Sequence, residues 1–433
     1  MEENRFIKLD NAGNLYPALV SKKWASMFRA SLRLKKTVVP SLLQEAVDIC
    51  LPRFPMFKVI LRKGFFWHYF EKNEKPFAIQ EETQYPCKPV DYTENNGYMF
   101  RVLYYKKRIS VEFFHALTDG TGALCFLNTL VSEYLRLQGH QIAYDFGALN
   151  PLDPPKPEEM EDSFTTIPLP HRTSLPVGKD KGKAYTLPLH KCQPHTLHLT
   201  CAVMPVDKLL TLARSHNVTI MELIGSIMLY AIYQEAKTKP LKQQRPIRIT
   251  FPINLRSHFK SNTLRNFSTF VNPWIDPRLG EYTFEDIARQ VHTYMLHHND
   301  KKLLCVNVAS NLQTERNLFI RLCPIWVKNI IMKVIHKVAG EYIISTVLSN
   351  LGKVTFPTGC AEHIERIEFM LGAPVKPMCQ ATMVSNGNSL QLVFSDNVKE
   401  KFLQREVLRF LAKEGIPITV ESNFDMKGEM VDV

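Results

Sequence analysis

A histidine and an aspartate stand four residues apart in F-F-H-A-L-T-D-G, Phe113 to Gly120. A neutral imidazole takes and returns a proton near neutral pH, so His115 is a candidate general base. Asp119 has two uses open to it. It can cap a helix starting at Gly120 or Thr121, or it can hold the turn that aims the histidine. In the strand before the turn, Val111, Phe113 and His115 share one face by the two-residue period. Glu112 and Phe114 take the other face. A histidine satisfied in a core, above an ordinary helix cap, fits the same pattern.

The elements around the motif are legible. Residues 25–34 alternate as a strand, and Val39-Pro40 opens a helix with Leu42, Leu43, Ala46, Val47 and Cys50 at helical spacing. Arg53-Phe54-Pro55 stops it. Met56 to Leu61 and Phe65 to Phe70 read as a hairpin around Lys63-Gly64. Strands at Tyr98–Tyr105 and Ile109–Phe114 lead into the motif, and a helix over Thr121–Leu137 follows it with one apolar face. Residues 151–195 are dense in proline and read as a linker between a lobe at 1–150 and a lobe at 196–433.

The second lobe restarts the strand and helix order. Thr196–Met204 is a strand and Val206–Ser215 a helix. Thr219 begins another helix, with Glu222 as its capping-box partner. Strands follow at Arg248–Leu255, Ile343–Ser349, Ile364–Phe369, Ala381–Ser385, Leu390–Phe394 and Ile416–Val420, with helices at Thr283–His298 and Glu400–Glu414. Each half reads as a mixed sheet flanked by helices.

Composition narrows the class. The chain has 433 residues, 45% of them hydrophobic and 22% charged, which suits two globular lobes. Its nine cysteines are scattered, odd in number and free of C-x-x-C pairs, so neither a disulfide framework nor a structural zinc site is expected. The charged N-terminus, M-E-E-N-R-F-I-K-L-D, does not read as a signal peptide, and no apolar run reaches the roughly 18 residues of a membrane span. A cytoplasmic protein is the expectation. The net charge of +12 suits a solvated surface or an anionic partner. Dispersed basic residues without a nucleic-acid motif argue against nucleic acid. No G-x-S-x-G, no G-x-x-x-x-G-K-[ST] and no complete G-x-G-x-x-G occurs. His292, His297 and His298 lack the spacing of a helical metal site, so no metal is expected.

Beyond the motif, further segments recur in a known order. They are the helix after Pro40, R-F-P at Arg53 to Pro55, V-T-I-M-E-L-I-G-S-I at Val218 to Ile227, and P-I-N-L-R at Pro252 to Arg256. N-F-S-T-F-V-N at Asn266 to Asn272 and S-N-L-G at Ser349 to Gly352 complete the set. Together they resemble the coenzyme A-dependent acyltransferase superfamily of chloramphenicol acetyltransferase-like fold, most of all bacterial alcohol acetyltransferase-like proteins. The resemblance runs over nearly the whole chain. It implies an α/β protein of two pseudo-symmetric lobes with a substrate tunnel between them.

The resemblance also implies roles. His115 would deprotonate the acceptor as it attacks a thioester carbonyl. Asp119 would be structural and paired with Arg256, while Gly120 and Gly122 would let the backbone turn sharply under the base. Ser349 and Asn350 are candidates for the oxyanion donor, with Thr382 and Ser385 as rivals. No cofactor would be held permanently; acetyl-CoA or another acyl-CoA would be a co-substrate. The partners implied are an acyl-CoA donor and a small alcohol acceptor, acting on a monomer. The alternatives are an amine acceptor, a carrier-protein thioester, or a non-catalytic relative. Condensation domains usually carry two histidines in tandem, and Phe114 stands in place of the first. The D-F-G-W-G segment of the plant enzymes is absent.

Residues 318–338 are apolar with lysines at 328, 333 and 337. They read first as a helix over the substrate tunnel with its lysines in solvent, and second as a segment lying on an anionic membrane surface.

Overall fold

Aromatic residues fix the strand that carries the motif. Phe113 is fully buried and packs on the rings of Phe57, Phe100 and Phe126. Truncating such a side chain costs about 3–5 kcal/mol, so the strand's register is strongly held. The computed structural model describes residues 6–20, 25–82, 85–89, 95–168, 182–193, 196–316, 321–335 and 342–424.

The first half contains β1 (Phe6–Lys8), α1 (Leu15–Leu19), β2 (Met27–Leu34), α2 (Pro40–Cys50), β3 (Val59–Lys63), β4 (His68–Lys72), β5 (Gln80–Glu81), β6 (Phe100–Tyr105), β7 (Arg108–Phe114) and α3 (Gly120–Leu137). The second half contains β8 (His198–Pro205), α4 (Val206–Ser215), α5 (Ile220–Ala236), β9 (Ile247–Asn254), β10 (Ser268–Val271), β11 (Trp274–Ile275), α6 (Phe284–His298), α7 (Lys301–Arg316), α8 (Ile325–Ile335), β12 (Thr346–Lys353), β13 (Ile364–Leu371), β14 (Cys379–Asn386), β15 (Ser389–Asp396), α9 (Phe402–Lys413) and β16 (Thr419–Ser422).

Two mixed sheets dominate. The first runs β13-β2-β7-β6-β5, antiparallel except for the β5–β6 pair. The second runs β10-β9-β12-β14-β15-β8-β16, with β11 beside β9, and β12 is parallel to both its neighbours. A small sheet of β1, β4 and β3 flanks the first. One strand of the chain's second half, β13, therefore lies in the first sheet. Helices α2 and α3 pack together over β2 and β7, while Val384 of β14 and Val393 of β15 join the same core. In the second half α5 is central, with α4, α6 and α9 against it. Its start is set by the expected capping box: Thr219 Oγ1 accepts from the Glu222 amide, and Glu222 Oε2 accepts from the Thr219 amide.

Several expectations need revision. β2 and β7 do not alternate between buried and exposed residues; both faces are covered, so nearly every side chain is buried. The hairpin strands start three residues later than the apolar pattern suggested, which leaves residues 64–67 as its turn. Helix α7 was not expected from the sequence. The strand expected at Ile343–Ser349 runs instead from Thr346 to Lys353 and so includes Ser349 to Gly352, with an irregularity in the pairing between Asn350 and Lys353. The proline-rich segment packs where it is described. Glu159 forms a bidentate pair with Arg53, and Phe164 and Ile167 enter a small core with Leu255, Phe267 and Leu304. Residues 169–181 and 194–195 of that segment lie outside the described residues, as do 318–320 and 336–338 of the apolar stretch. All nine cysteines are free. No helix among the described residues is long and apolar enough to cross a membrane.

Candidate active site

Strand β7 ends at Phe114, and the backbone amide of His115 still donates to Ser26 O at 2.8 Å, just ahead of β2. The imidazole therefore sits at the end of a central strand of the first sheet. It stacks on Tyr16 of α1, ring centres 4.5 Å apart at 16°, with the Phe28 ring 5.0 Å away. Its Nδ1 lies 3.0 Å from Asn266 Oδ1, a contact that spans the two halves of the chain.

The orientation of Asn266 follows from its other partner. Asn266 Nδ2 donates to Asp10 Oδ2 at 3.3 Å. A flipped amide would set its oxygen against the carboxylate, so Oδ1 faces the imidazole and accepts from Nδ1–H. That assigns the proton to Nδ1 and leaves the Nε2 lone pair for a proton from outside. Burial holds the His115 pKa below the ordinary histidine value, although a backbone hydrogen bond, Asp119, Asn266 and Asp10 oppose the shift. Neutral imidazole, the form a base needs, is thus favoured.

Asp10 is fully buried in the turn before α1. Its Oδ1 accepts from the Gly13 amide at 2.5 Å. Burial pushes its pKa up to about 6, against the lowering effect of Arg265. Arg265 Nε is 3.4 Å from Asp10 Oδ2 but makes no hydrogen bond among the described residues, so the compensation is incomplete. Burial also raises the pKa of Tyr16, with Asp10 and Asp119 adding to the shift.

Asp119 does both jobs open to it. Oδ1 accepts from the Thr121 and Gly122 amides at 3.1 and 3.3 Å and caps α3. Oδ2 accepts from Arg256 Nη1 at 2.7 Å and from the Phe267 amide at 2.9 Å. Arg256 also donates to Thr263 O at 2.8 Å and to Arg265 O at 2.6 Å. The ion pair thus ties the histidine's turn to the 263–267 segment that carries Asn266.

The glycines act differently from the expected sharp turn. Neither Gly120 nor Gly122 has a positive φ. A Cβ on Gly122 would lie 2.1 Å from Thr118 Oγ1 and 2.2 Å from Leu264 O, and one on Gly120 would lie 2.7 Å from Leu351 Cδ1. Close packing on the Leu264 backbone, not backbone freedom, requires the glycine at 122, whereas at Gly120 the neighbour is only the tip of the Leu351 side chain.

The Gly120–Leu351 contact brings β12 against the motif. Across the β12–β14 pair, Ser349 faces Thr382. Thr382 is buried, and its hydroxyl donates to Phe369 O, which commits it elsewhere. Asn350 is exposed and its Oδ1 accepts from the Gly352 amide. Ser349 is partly buried and its hydroxyl makes no hydrogen bond with a described residue. Ser385 pairs with Lys353, further along β12. Ser349 and Ser385 both have hydroxyls without a partner among the described residues, and Ser349 is the one two positions from Leu351, the residue that meets Gly120. His292 approaches Glu222 and His298 stacks on Tyr294, and no group of metal-ligating side chains occurs among the described residues.

Sequence reasoning missed Asp10, Tyr16 and the partnership of Asn266 with His115. The D-N-A-G turn at Asp10 to Gly13 carried a faint signal, since aspartate readily closes such turns on a backbone amide. Nothing local could join it to a residue 256 positions away.

No family model matches the sequence, and no curated protein matches it. Solved structures match over almost the whole chain. Polyketide synthase associated protein 5 from Mycobacterium tuberculosis superposes with a TM-score of 0.59 at 13% identity, covering 95% of this chain and 98% of that one. The TRI3 trichothecene 15-O-acetyltransferase from Fusarium sporotrichioides gives 0.57 at 12% identity, over 95% and 94%. TRI101 of F. sporotrichioides, complexed with coenzyme A and T-2, gives 0.58 at 11% identity, over 96% and 99%. The fold is the two-lobed chloramphenicol acetyltransferase-like α/β fold, with a mixed sheet flanked by helices in each half.

Proposed function

We propose that this protein is an acyltransferase that moves an acyl group, acetyl in the simplest case, from coenzyme A to the hydroxyl of a small alcohol. The observation that carries the reading is the Asp10–Asn266–His115 chain, which presents Nε2 as an unprotonated base. Nε2 takes the hydroxyl proton as the alcohol oxygen attacks the thioester carbonyl. The tetrahedral oxyanion then collapses, the carbon–sulfur bond breaks, and the thiolate recovers the proton from the imidazolium. No covalent enzyme intermediate is needed. Ser349 is the proposed donor to the oxyanion, while Asp119, Gly120 and Arg256 hold the turn. Donor and acceptor would reach His115 along a tunnel between a lobe at 1–150, joined through 151–195, and a lobe at 196–433.

Two similarities support the reading. One structural relative is a trichothecene 15-O-acetyltransferase, and another was crystallised with coenzyme A and T-2. The test is thiol release from acetyl-CoA in the presence of an alcohol panel. His115→Ala should lower turnover by about 10²–10⁴-fold with an unchanged circular dichroism spectrum. Wild-type turnover in the folded variant would overturn the assignment.

A further inference from the structure

The hairpin turn between β3 and β4 and helix α8 lie some 260 residues apart in sequence, yet they form one surface. The Ile325 amide donates to Phe65 O at 2.9 Å, and Lys328 Nζ donates to Phe66 O at 2.7 Å while lying over the Trp67 ring. Both elements turn large apolar side chains outward. Phe65 is 68% exposed and Trp67 45%. On α8, Trp326, Ile330 and Val334 are 60%, 59% and 58% exposed. Their four-residue spacing sets them along one helix face, about 16 Å long for the eleven residues of α8. The helix packs on α1. An apolar stripe of this size facing solvent marks an interaction surface.

The charges around it identify the partner. Residues 321–335 contain Arg321, Lys328 and Lys333 and no acid, and residues 61–70 contain Arg62 and Lys63 and no acid. Arg62 is paired with Glu71, and Lys63, Arg321 and Lys333 remain as exposed cations on the two elements. Tryptophans among aliphatic residues beside such cations fit the interface of an anionic lipid bilayer, where rings enter the headgroup layer and cations meet lipid phosphates. The eleven described residues of α8 are too few to span a bilayer, so they would lie in the plane of the membrane. We infer that α8 and the 64–67 turn dock this protein on anionic membranes.

The full-length protein should co-sediment with phosphatidylcholine vesicles containing phosphatidylglycerol, should not do so with phosphatidylcholine alone, and should release at high salt. Trp326→Ser with Ile330→Ser should lower the partition coefficient at least about tenfold. Arg321→Ala with Lys333→Ala should lower it roughly thirtyfold. Leu241→Ser, at an exposed leucine remote in sequence, should change nothing. If the helix variant loses its thermal transition, Phe65→Ser with Trp67→Ser provides the same reading from the hairpin. Failure of the wild type to bind anionic vesicles would overturn the inference. So would binding unaffected by either pair of apolar substitutions. A wild-type dimer that Trp326→Ser with Ile330→Ser converts to a monomer would assign the surface to a second copy of the chain instead.

Discussion

Glu112 and Asp10 are both buried carboxylates of the first half, and they titrate in opposite directions. Burial pushes each pKa upward. At Glu112 the push is overcome. Arg29 Nε and Nη2 donate to Oε1 at 2.8 and 2.5 Å, Arg101 Nη2 donates to Oε2 at 2.5 Å, and the Cys87 amide adds a further bond. The two guanidiniums hold its carboxyl below the usual glutamate range. At Asp10 the direct donors are neutral amides and the nearest cation is poorly aimed, so the pKa stays near 6. Neighbouring strands of one sheet can place guanidiniums on Glu112 by register alone: Arg29 and Arg101 are both its cross-strand partners. Asp10 lies where the two halves of the chain meet, and its contacts depend on both. One carboxylate is scaffold, and the other is left able to respond to pH near His115.

The contrast can be broken most forcefully at the scaffold. Glu112→Gln should cost about 3 kcal/mol in urea unfolding, because Arg29 would keep only Glu82 as its acid and the partly buried Arg101 would lose its carboxylate. A loss under about 1 kcal/mol would remove the distinction.

The next effect is a difference of sign. The native state binds the Asp10 proton more tightly than the unfolded state, in which the pKa is near 3.8. Stability from this site is therefore fullest below pH ~4 and falls as pH rises towards 6, by up to about 3 kcal/mol. Asp10→Asn escapes that penalty, so its stability relative to wild type should climb from pH 4 to pH 7. Glu112 behaves oppositely: its contribution is present above the ordinary glutamate pKa and is lost as pH falls through its lowered native value. Relative to wild type, Asp10→Asn should gain stability as pH rises from 4 to 7, whereas Glu112→Gln should gain it only as pH falls below the ordinary glutamate value. Parallel slopes would refute the assignment.

A smaller effect concerns the link from Asp10 to the base. Asn266→Ala should lower kcat by roughly 10- to 100-fold, with little change in KM for the acyl donor, since a base held loosely by an ångström loses rate of that order. The finest effect is in the pH profile. The wild-type acid limb should lie below the ordinary histidine value, because burial disfavours the imidazolium. The Nδ1–H···Oδ1 bond favours the charged form, so Asn266→Ala should move that limb to still lower pH. An upward move would mean that Asn266 does not accept from Nδ1.

What was legible near the motif was local. The two-residue period placed His115 at the end of β7, and the D-G-T-G run announced a helix start that Asp119 indeed caps. The Arg256 partner was reachable only through resemblance. The burial of β2 and β7 on both faces was hidden, because Arg29 and Glu112 read as solvent-facing residues until their mutual neutralisation is seen. Helix α7 was missed because its apolar residues do not gather on one side in the sequence pattern. The stripe on α8 was visible as hydrophobicity, but its direction was not, since periodicity locates a face without saying what lies opposite it.

The sequence by itself determined the elements whose causes act within a few residues: the strand that ends at His115, the cap at Asp119, the Thr219–Glu222 box, and the mixed strand and helix order of each half. Tertiary structure alone decided that Asn266 and Asp10 stand behind His115, that β13 crosses into the first sheet, and that the 64–67 turn meets α8. The physical reason is range. Capping and periodicity are fixed by neighbours along the chain, whereas the proton's place on an imidazole and the direction of an apolar face are fixed by whatever packing brings beside them.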